Sequence, residues 1–255
     1  LIILILIVIG VLTGILAGML GIGGGLIFTP VLYWLFQESG VERAELWAIG
    51  TSLFCTFASS VGGSLRHHLR SSAYVREGLI AGGFGVIGTA VGKLVSSSPY
   101  FTGVEFRILI TTLLVYSLGQ LVYKTFFSRQ LGKPVLNQDR DLSLKELSVI
   151  GLAGGFIATL AGIGGGLLMV PIMHLALKQS YKRTVSISEL AIVVISASGA
   201  AQLWEYVDVV RALPLVGGSF VGAFVGVWLH DRTDMRLMKL MHAALMGFAV
   251  WAMWG

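Results

Sequence analysis

Charge is scarce in this chain. Its 18 Lys and Arg and 13 Asp and Glu make up 12% of 255 residues, about half the roughly 25% of a soluble domain. With 55% hydrophobic residues, a mean hydropathy of +0.85 and apolar runs of twenty or more, this excludes an ordinary soluble domain. It indicates a polytopic membrane protein. A single cysteine, Cys55, excludes an intrachain disulfide and leaves the redox compartment open. Zinc-ligand spacing, HExxH, Walker A and GxSxG are all missing. No metal, cofactor or catalytic residue is therefore expected, and the chain is not expected to be an enzyme. The net charge of +5 is clustered in a few loops, where it reports orientation in the bilayer rather than a nucleic-acid partner.

Glycine, by contrast, is plentiful, at 34 residues. Residues 21–30 read GIGGGLIFTP and residues 162–171 read GIGGGLLMVP, identical at seven of ten positions. Both lie inside apolar runs. Glycine is the poorest helix former after proline, so two triple-glycine breaks at membrane depth need a reason.

The breaks belong to a longer repeat. Apolar segments fall near 1–20, 24–36, 46–65, 74–95 and 103–127, and again near 144–161, 165–177, 184–204, 208–229 and 237–254. The resemblance of the first twenty residues to the middle of the chain marks them as retained structure rather than a signal peptide. Gly14 and Ala17 precede the first break as Gly155 and Ala158 precede the second. GTAVG at 88–92 matches GAFVG at 222–226; these pairs, like Gly14 and Gly18, suit close helix packing. The reading is a first transmembrane repeat at 1–127, a cytoplasmic linker at 128–143 and a second repeat at 144–255. Ser143 and Glu146 form a capping-box pattern that starts a helix near Leu144. The second segment of each half, about 13 apolar residues, is shorter than the roughly 20 needed to cross.

Basic residues orient the halves. Arg66, Arg70 and Arg76, the linker cations, Lys178, Lys182 and Arg183, and Arg232, Arg236 and Lys239 all belong inside by the positive-inside rule. The loop at 37–45 is then outside while its counterpart at 178–183 is inside. The expected fold is an all-α polytopic membrane protein, an inverted-topology repeat of roughly eight to ten membrane segments, including two broken or re-entrant ones. The alternative, four crossings per half in parallel, would place Lys178, Lys182 and Arg183 outside.

Backbone that leaves the helix at this depth survives only when buried in protein or lining a wet cavity. In an inverted repeat, discontinuous helices meet near the midplane at the binding site. Each helix N-terminus carries roughly +0.5 charge, so two offset a monoanion, while a dianion needs a proton or cation besides. The expected ligand is a small oxyanion held by backbone N–H groups. The short helices are expected to start near Gly25 and Gly166, with kinks at Pro30 and Pro171. The candidate substrate-binding residues are Gly21, Gly23, Gly24, Gly25, Gly162, Gly164, Gly165 and Gly166, with the hydroxyls of Thr51, Ser52, Ser186 and Ser188. Close helix packing alone is the alternative role of these glycines. Glu189 is a candidate for proton coupling; its plainer role is an interfacial carboxylate paired with Lys182 or Arg183. His67 and His68 read as solvated loop residues, and Lys93 as a side chain reaching the headgroups.

Both glycine stretches, GMLGIGGGLIFTP and ATLAGIGGGLLMVP, resemble the signature of the TauE/SafE sulfite-exporter family, and the resemblance covers the whole chain. AIGTSLF follows in the first half; SISELAI, a looser match, stands in the second. The resemblance implies export of sulfite or organosulfonate-type anions across the bacterial inner membrane, by alternating access in the reading adopted here. A passive anion channel and an intramembrane enzyme or lipid-handling protein are the alternatives. The implied partners are a small sulfur-containing anion and the lipid bilayer, with a homodimer left open and no nucleic acid.

Overall fold

A computed structural model describes residues 2–20, 23–70, 74–126, 140–230, 244, 247, 249–251, 253 and 254. Among them there are nine α-helices, a π-helical turn and a 3-10 turn, and no strand. The helices are α1 (Ile2–Leu20), α2 (Gly25–Glu38), α3 (Ala44–Arg70), α4 (Val75–Ser96), α5 (Gly103–Phe126), α6 (Leu144–Ala161), α7 (Gly166–Pro171), α8 (Tyr181–Gln202) and α9 (Val209–His230). Gly21, most of the linker and most of the segment expected near 237–254 lie outside the described residues, as do the side chains of His67 and His68.

Five helices are long and apolar enough to cross a membrane: Ala44–Leu65, Val75–Ser96, Leu144–Ala161, Arg183–Gln202 and Val209–Leu229. Ile3–Met19 is a shorter apolar stretch. The chain is an integral membrane protein. At 1.5 Å per residue α2 is about 21 Å long, short of a hydrocarbon core of roughly 30 Å.

Local chemistry sets the helix ends. The Ser143 side chain accepts from Glu146 N–H and the Glu146 carboxylate accepts from Ser143 N–H, so α6 opens with the expected capping box. Pro30 sits inside α2, which continues to Glu38. Its counterpart Pro171 ends α7, and the chain widens into a π-helical turn, Ile172–Ala176. Proline lacks the N–H that a regular helix would use there.

The helices pair across the two halves. The opening helices α1 and α6 each pack on the fourth helix of the other half, α1 on α9 and α6 on α4, while the third helices α3 and α8 pack on each other. Small residues make the outer pairs close. A Cβ on Gly14 would lie 2.2 Å from Ser219 O, and one on Gly222 2.2 Å from Val11 O. In the α4–α6 pair, a Cβ on Gly88 would lie 2.3 Å from Leu152 O, and one on Gly155 2.0 Å from Gly85 O. Each pair is glycine against backbone carbonyl in both directions, the packing on which membrane helices rely when lipid removes the hydrophobic drive.

Polar ties reinforce this frame. Thr159 donates to Thr89 O, and Gln202 Nε2 donates to Thr89 Oγ1 and Ser198 Oγ, which joins α4, α6 and α8. At the other end, the buried Arg183 bonds Glu77 at 2.8 Å and Asp141 at 3.3 Å and stacks over Tyr74. Arg183 is thus the partner of Glu77 and Asp141.

Gly155→Val should destabilise the protein by about 3 kcal/mol, because the carbonyl it meets cannot yield. Gly83→Val, where an added Cβ meets nothing within 4 Å, should leave the melting temperature in detergent nearly unchanged. Equal melting temperatures would contradict the packing described.

Candidate functional site

Two glycine turns from opposite halves touch. Helix α6 ends at Gly162 in the left-handed conformation (φ 71°), with its N–H donating to Ala158 O at 2.8 Å. Gly164 (φ 71°) and Gly165 (φ 82°) then turn the chain into α7. In the first half Gly23 (φ 71°) is left-handed, whereas Gly24 (φ −78°, ψ −12°) is right-handed and precedes α2. A side chain is strained at positive φ. A Cβ on Gly25 would fall 2.5 Å from Gly162 O and 2.6 Å from Ile163 Cα, so the first residue of α2 rests directly on the second turn. The short helices begin at Gly25 and Gly166, where the sequence places them.

The turns share a floor. Added Cβ atoms on Gly23 and on Gly164 would both meet the methyls of Thr56 on α3 and Ile192 on α8. A spacing of 136 residues relates Thr56 to Ile192, Leu53 to Glu189 and Gly63 to Gly199. Thr56 and Ile192 therefore stand at equally spaced positions of the two central helices.

The amides above the floor are unpaired in the backbone sense. The first bonds of α2 run from Ile27 and Phe28 N–H to Gly24 O; those of α7 run from Leu168 and Met169 N–H to Gly165 O. Among the described residues the N–H groups of Gly25, Leu26, Gly166 and Leu167 have no backbone acceptor, as at any helix start. A left-handed residue followed by a right-handed one, as at Gly23 and Gly24, is also the kind of sequence that gathers N–H groups into an anion-binding concavity.

The candidate hydroxyls fall into different roles. Ser52 accepts from Thr29 Oγ1 at 2.8 Å and donates its own proton to Gly162 O at 2.9 Å. It pins the second turn to α2 and α3. Thr51 donates to Tyr206 O at 3.4 Å and accepts from Asp208 N–H at 3.0 Å, which fixes the loop before α9. Ser186 and Ser188 lie two positions apart, about 200° around a helix, so they serve different faces. Ser186 is half-buried; Ser188 is fully buried and its Oγ has no partner. Two further hydroxyls stand out. Thr56 is fully buried and Ser60 1% exposed, and neither Thr56 Oγ1 nor Ser60 Oγ has a partner. Ser60 Oγ lies 3.6 Å from the Cβ position of Gly23. The signal for them was Ser52, Thr56 and Ser60 recurring every four residues, one face of a helix. Glu189 is 1% exposed, its Oε2 without a partner and 3.0 Å from the Cβ position of Gly63. No group of three or more His, Cys, Asp or Glu placed to hold a metal occurs among the described residues. The arrangement offers donors on a buried junction of two halves, suited to holding an acceptor-rich solute.

The family model for sulfite exporter TauE/SafE matches residues 6–253. The chain belongs to the TauE/SafE family. It is similar to a probable membrane transporter protein of Methanocaldococcus jannaschii, 27% identical over 263 residues that cover 95% of this chain and 91% of the relative. It is also similar to the probable membrane transporter protein YunE of Bacillus subtilis, 26% identical over 253 residues, 92% of this chain and 91% of the relative. A Xylella fastidiosa relative of the same description is 26% identical over 259 residues, 96% and 94% of the two chains. Family and relatives alike are described as transporters, so this TauE/SafE chain is a membrane transporter.

The two turns of this family member differ in their tolerance of a side chain. Gly165→Ala combines positive φ with an approach of 2.4 Å to Gly154 O, whereas Gly24→Ala meets only the Phe28 ring, at 2.4 Å. Gly165→Ala should cost more stability by about 1–2 kcal/mol. Thermal melting of the two variants side by side checks it.

Proposed function

We propose that the chain exports small sulfur oxyanions, sulfite or organosulfonates, across the bacterial inner membrane by alternating access. The anion is held where the two glycine turns meet, by backbone N–H groups at the starts of α2 and α7 and by the hydroxyls of Thr56 and Ser60. The observation that carries this reading is the junction itself. Two breaks from separate halves close on one floor, with first-turn amides lacking backbone acceptors among the described residues and two buried hydroxyls lacking partners. Such a set is costly when empty and satisfied when an acceptor enters. Ser52 and Thr51 act one step back, since their protons go to Gly162 O and Tyr206 O. The sulfur chemistry of the substrate is supported by the family description.

The halves, 1–127 and 144–255, are read as an inverted-topology repeat joined by a cytoplasmic linker. This is supported by the exchange of packing partners, α1 on α9 and α6 on α4, and by the basic loops. An inside-negative potential drives net negative charge outward at about 2.3 kcal/mol per charge per 100 mV, so it favours export whenever the transported species carry net negative charge.

In proteoliposomes, sulfite or a sulfonate should show saturable flux and counterflow, while chloride should not. Thr56→Val keeps the shape and removes an unpaired hydroxyl. It should leave stability unchanged or raise it by about 1 kcal/mol, yet raise KM roughly tenfold or more, as for the loss of a bond to a charged group. Flux without saturation or counterflow would indicate a channel, and an unchanged KM in Thr56→Val would remove the hydroxyl from the site.

Orientation is separately testable in a Cys55→Ser background. A cysteine at Lys178→Cys should react with an impermeant maleimide only from the cytoplasmic side, and one at Glu205→Cys only from the other. Labelling of Lys178→Cys from outside and of Glu205→Cys from the cytoplasmic side would refute the inverted arrangement.

A further inference from the structure

The interface of α3 and α8 seats a side chain against a glycine twice, once on each side of the glycine junction, and the two contacts differ in that side chain. On one side a Cβ on Gly199 would lie 2.9 Å from Leu53 Cδ1; on the other, a Cβ on Gly63 would lie 3.0 Å from Glu189 Oε2. The same spacing relates Leu53 to Glu189 and Gly63 to Gly199. In each copy a glycine of one helix receives the tip of a side chain from the other. Leucine suffices for the packing in one copy, so packing does not explain a carboxyl in the other.

Glu189 is the ninth residue of α8, about 12 Å in from the Tyr181 end. Its Oε2 is buried without a hydrogen-bond partner, and so are the nearby hydroxyls of Ser60, on the same face of α3 as Gly63, and of Ser188, its neighbour in the chain. Several charged groups of the packed elements are engaged elsewhere, while Arg76 and Lys93 on α4 and Lys145 on α6 lie near helix ends. On α4, Glu77 holds Arg183 and Leu142 N–H. On α8 itself, Arg183 is bound to Glu77 and Asp141. On α6, Glu146 faces Arg140 and Ser143. His174, after α7, has Nδ1 against Gln179 O. On α3, the residues facing Glu189 are Gly63 and, one turn away, Ser60; Arg66, His67 and His68 follow, with side chains outside the described residues. An ionisable residue within a membrane helix with no fixed partner is a functional group by default.

We propose that Glu189 is the proton-coupling residue of this transporter, so that the anion and one proton cross together. The inference rests on the anion-transport reading above. Glu189 stands one helical turn from Ile192, which lies under both glycine turns. A carboxylate there repels an anion at the junction, and a carboxylic acid does not. Binding of the anion and protonation of Glu189 therefore favour each other, as linkage requires. The carboxylate takes a proton from water on the side where the anion enters; after the anion leaves, the carboxylic acid returns that proton to water on the other side. Only the O–H bond is made and broken. A doubly charged oxyanion then crosses with one net negative charge and is still driven outward by the membrane potential.

The full-length chain in proteoliposomes, with a pH dye inside, tests this. The probes are sulfite and methanesulfonate, the second because it carries no titrating proton near neutral pH, with protein-free vesicles as blanks. Wild-type protein should move protons with the anion, and a pH gradient should drive anion accumulation. Glu189→Gln should keep counterflow within about threefold while anion-linked proton movement falls at least tenfold. Glu189→Asp should retain proton movement. Glu189→Leu, with the residue of the matching position, should elute as folded protein and lack proton coupling. Anion flux in the wild type without proton movement, or full proton movement in Glu189→Gln, would overturn the inference while leaving the transport reading intact. So would accumulation driven by a sodium gradient instead. Absence of any anion flux in the wild type would overturn the transport reading and this inference together.

Discussion

A backbone N–H in hydrocarbon must have an acceptor, and a broken helix supplies N–H groups that have none. The whole arrangement can be understood from that constraint. The chain breaks two helices and presses the broken ends against each other, so that Gly25 sits on Gly162 and both turns rest on Thr56 and Ile192. Neither break faces lipid alone. Ser52 ties them, taking a proton from Thr29 and giving one to Gly162 O. A hydroxyl that can accept and donate at once is a small group able to hold the end of α6 against α2 of the other half.

Around this junction the outer helices act as a frame. Lipid gives apolar helices no reason to associate, so the frame depends on backbone reaching backbone, at Gly14 and Gly222 on one flank and at Gly88 and Gly155 on the other. The polar ties from Arg183 and Gln202 lie at opposite ends of α8. Thr56, Ser60, Ser188 and Glu189, each with a buried polar atom that has no partner, lie on the two central helices.

Much of the fold was legible in the sequence because its signals are local. The capping box at Ser143, the glycine pairs, the starts of the short helices and the helix ranges follow from chain chemistry within a few residues. The candidate site was legible only to the level of the glycine turns. Thr51 and Ser52 are neighbours in sequence but point about 100° apart, and both give their protons to carbonyls more than a hundred residues away. The face that continues from Ser52 through Thr56 to Ser60 was readable from its period of four; the preference for Thr51 over Thr56 obscured it. The partner of Arg183 could not be read at all, since Glu77 is 106 positions away, and proximity in sequence favoured Glu189 instead.

The exchange of partners between halves has a consequence for motion. Helix α1 is locked to α9, and α6 to α4, by contacts in which a carbonyl fills the space of an absent side chain. A hinge that parted the chain at its linker would have to pull both locks open at once. Any rigid bodies in this molecule are therefore composites, each assembled from one helix of either half, and a movement that keeps both locks closed carries each composite as a unit.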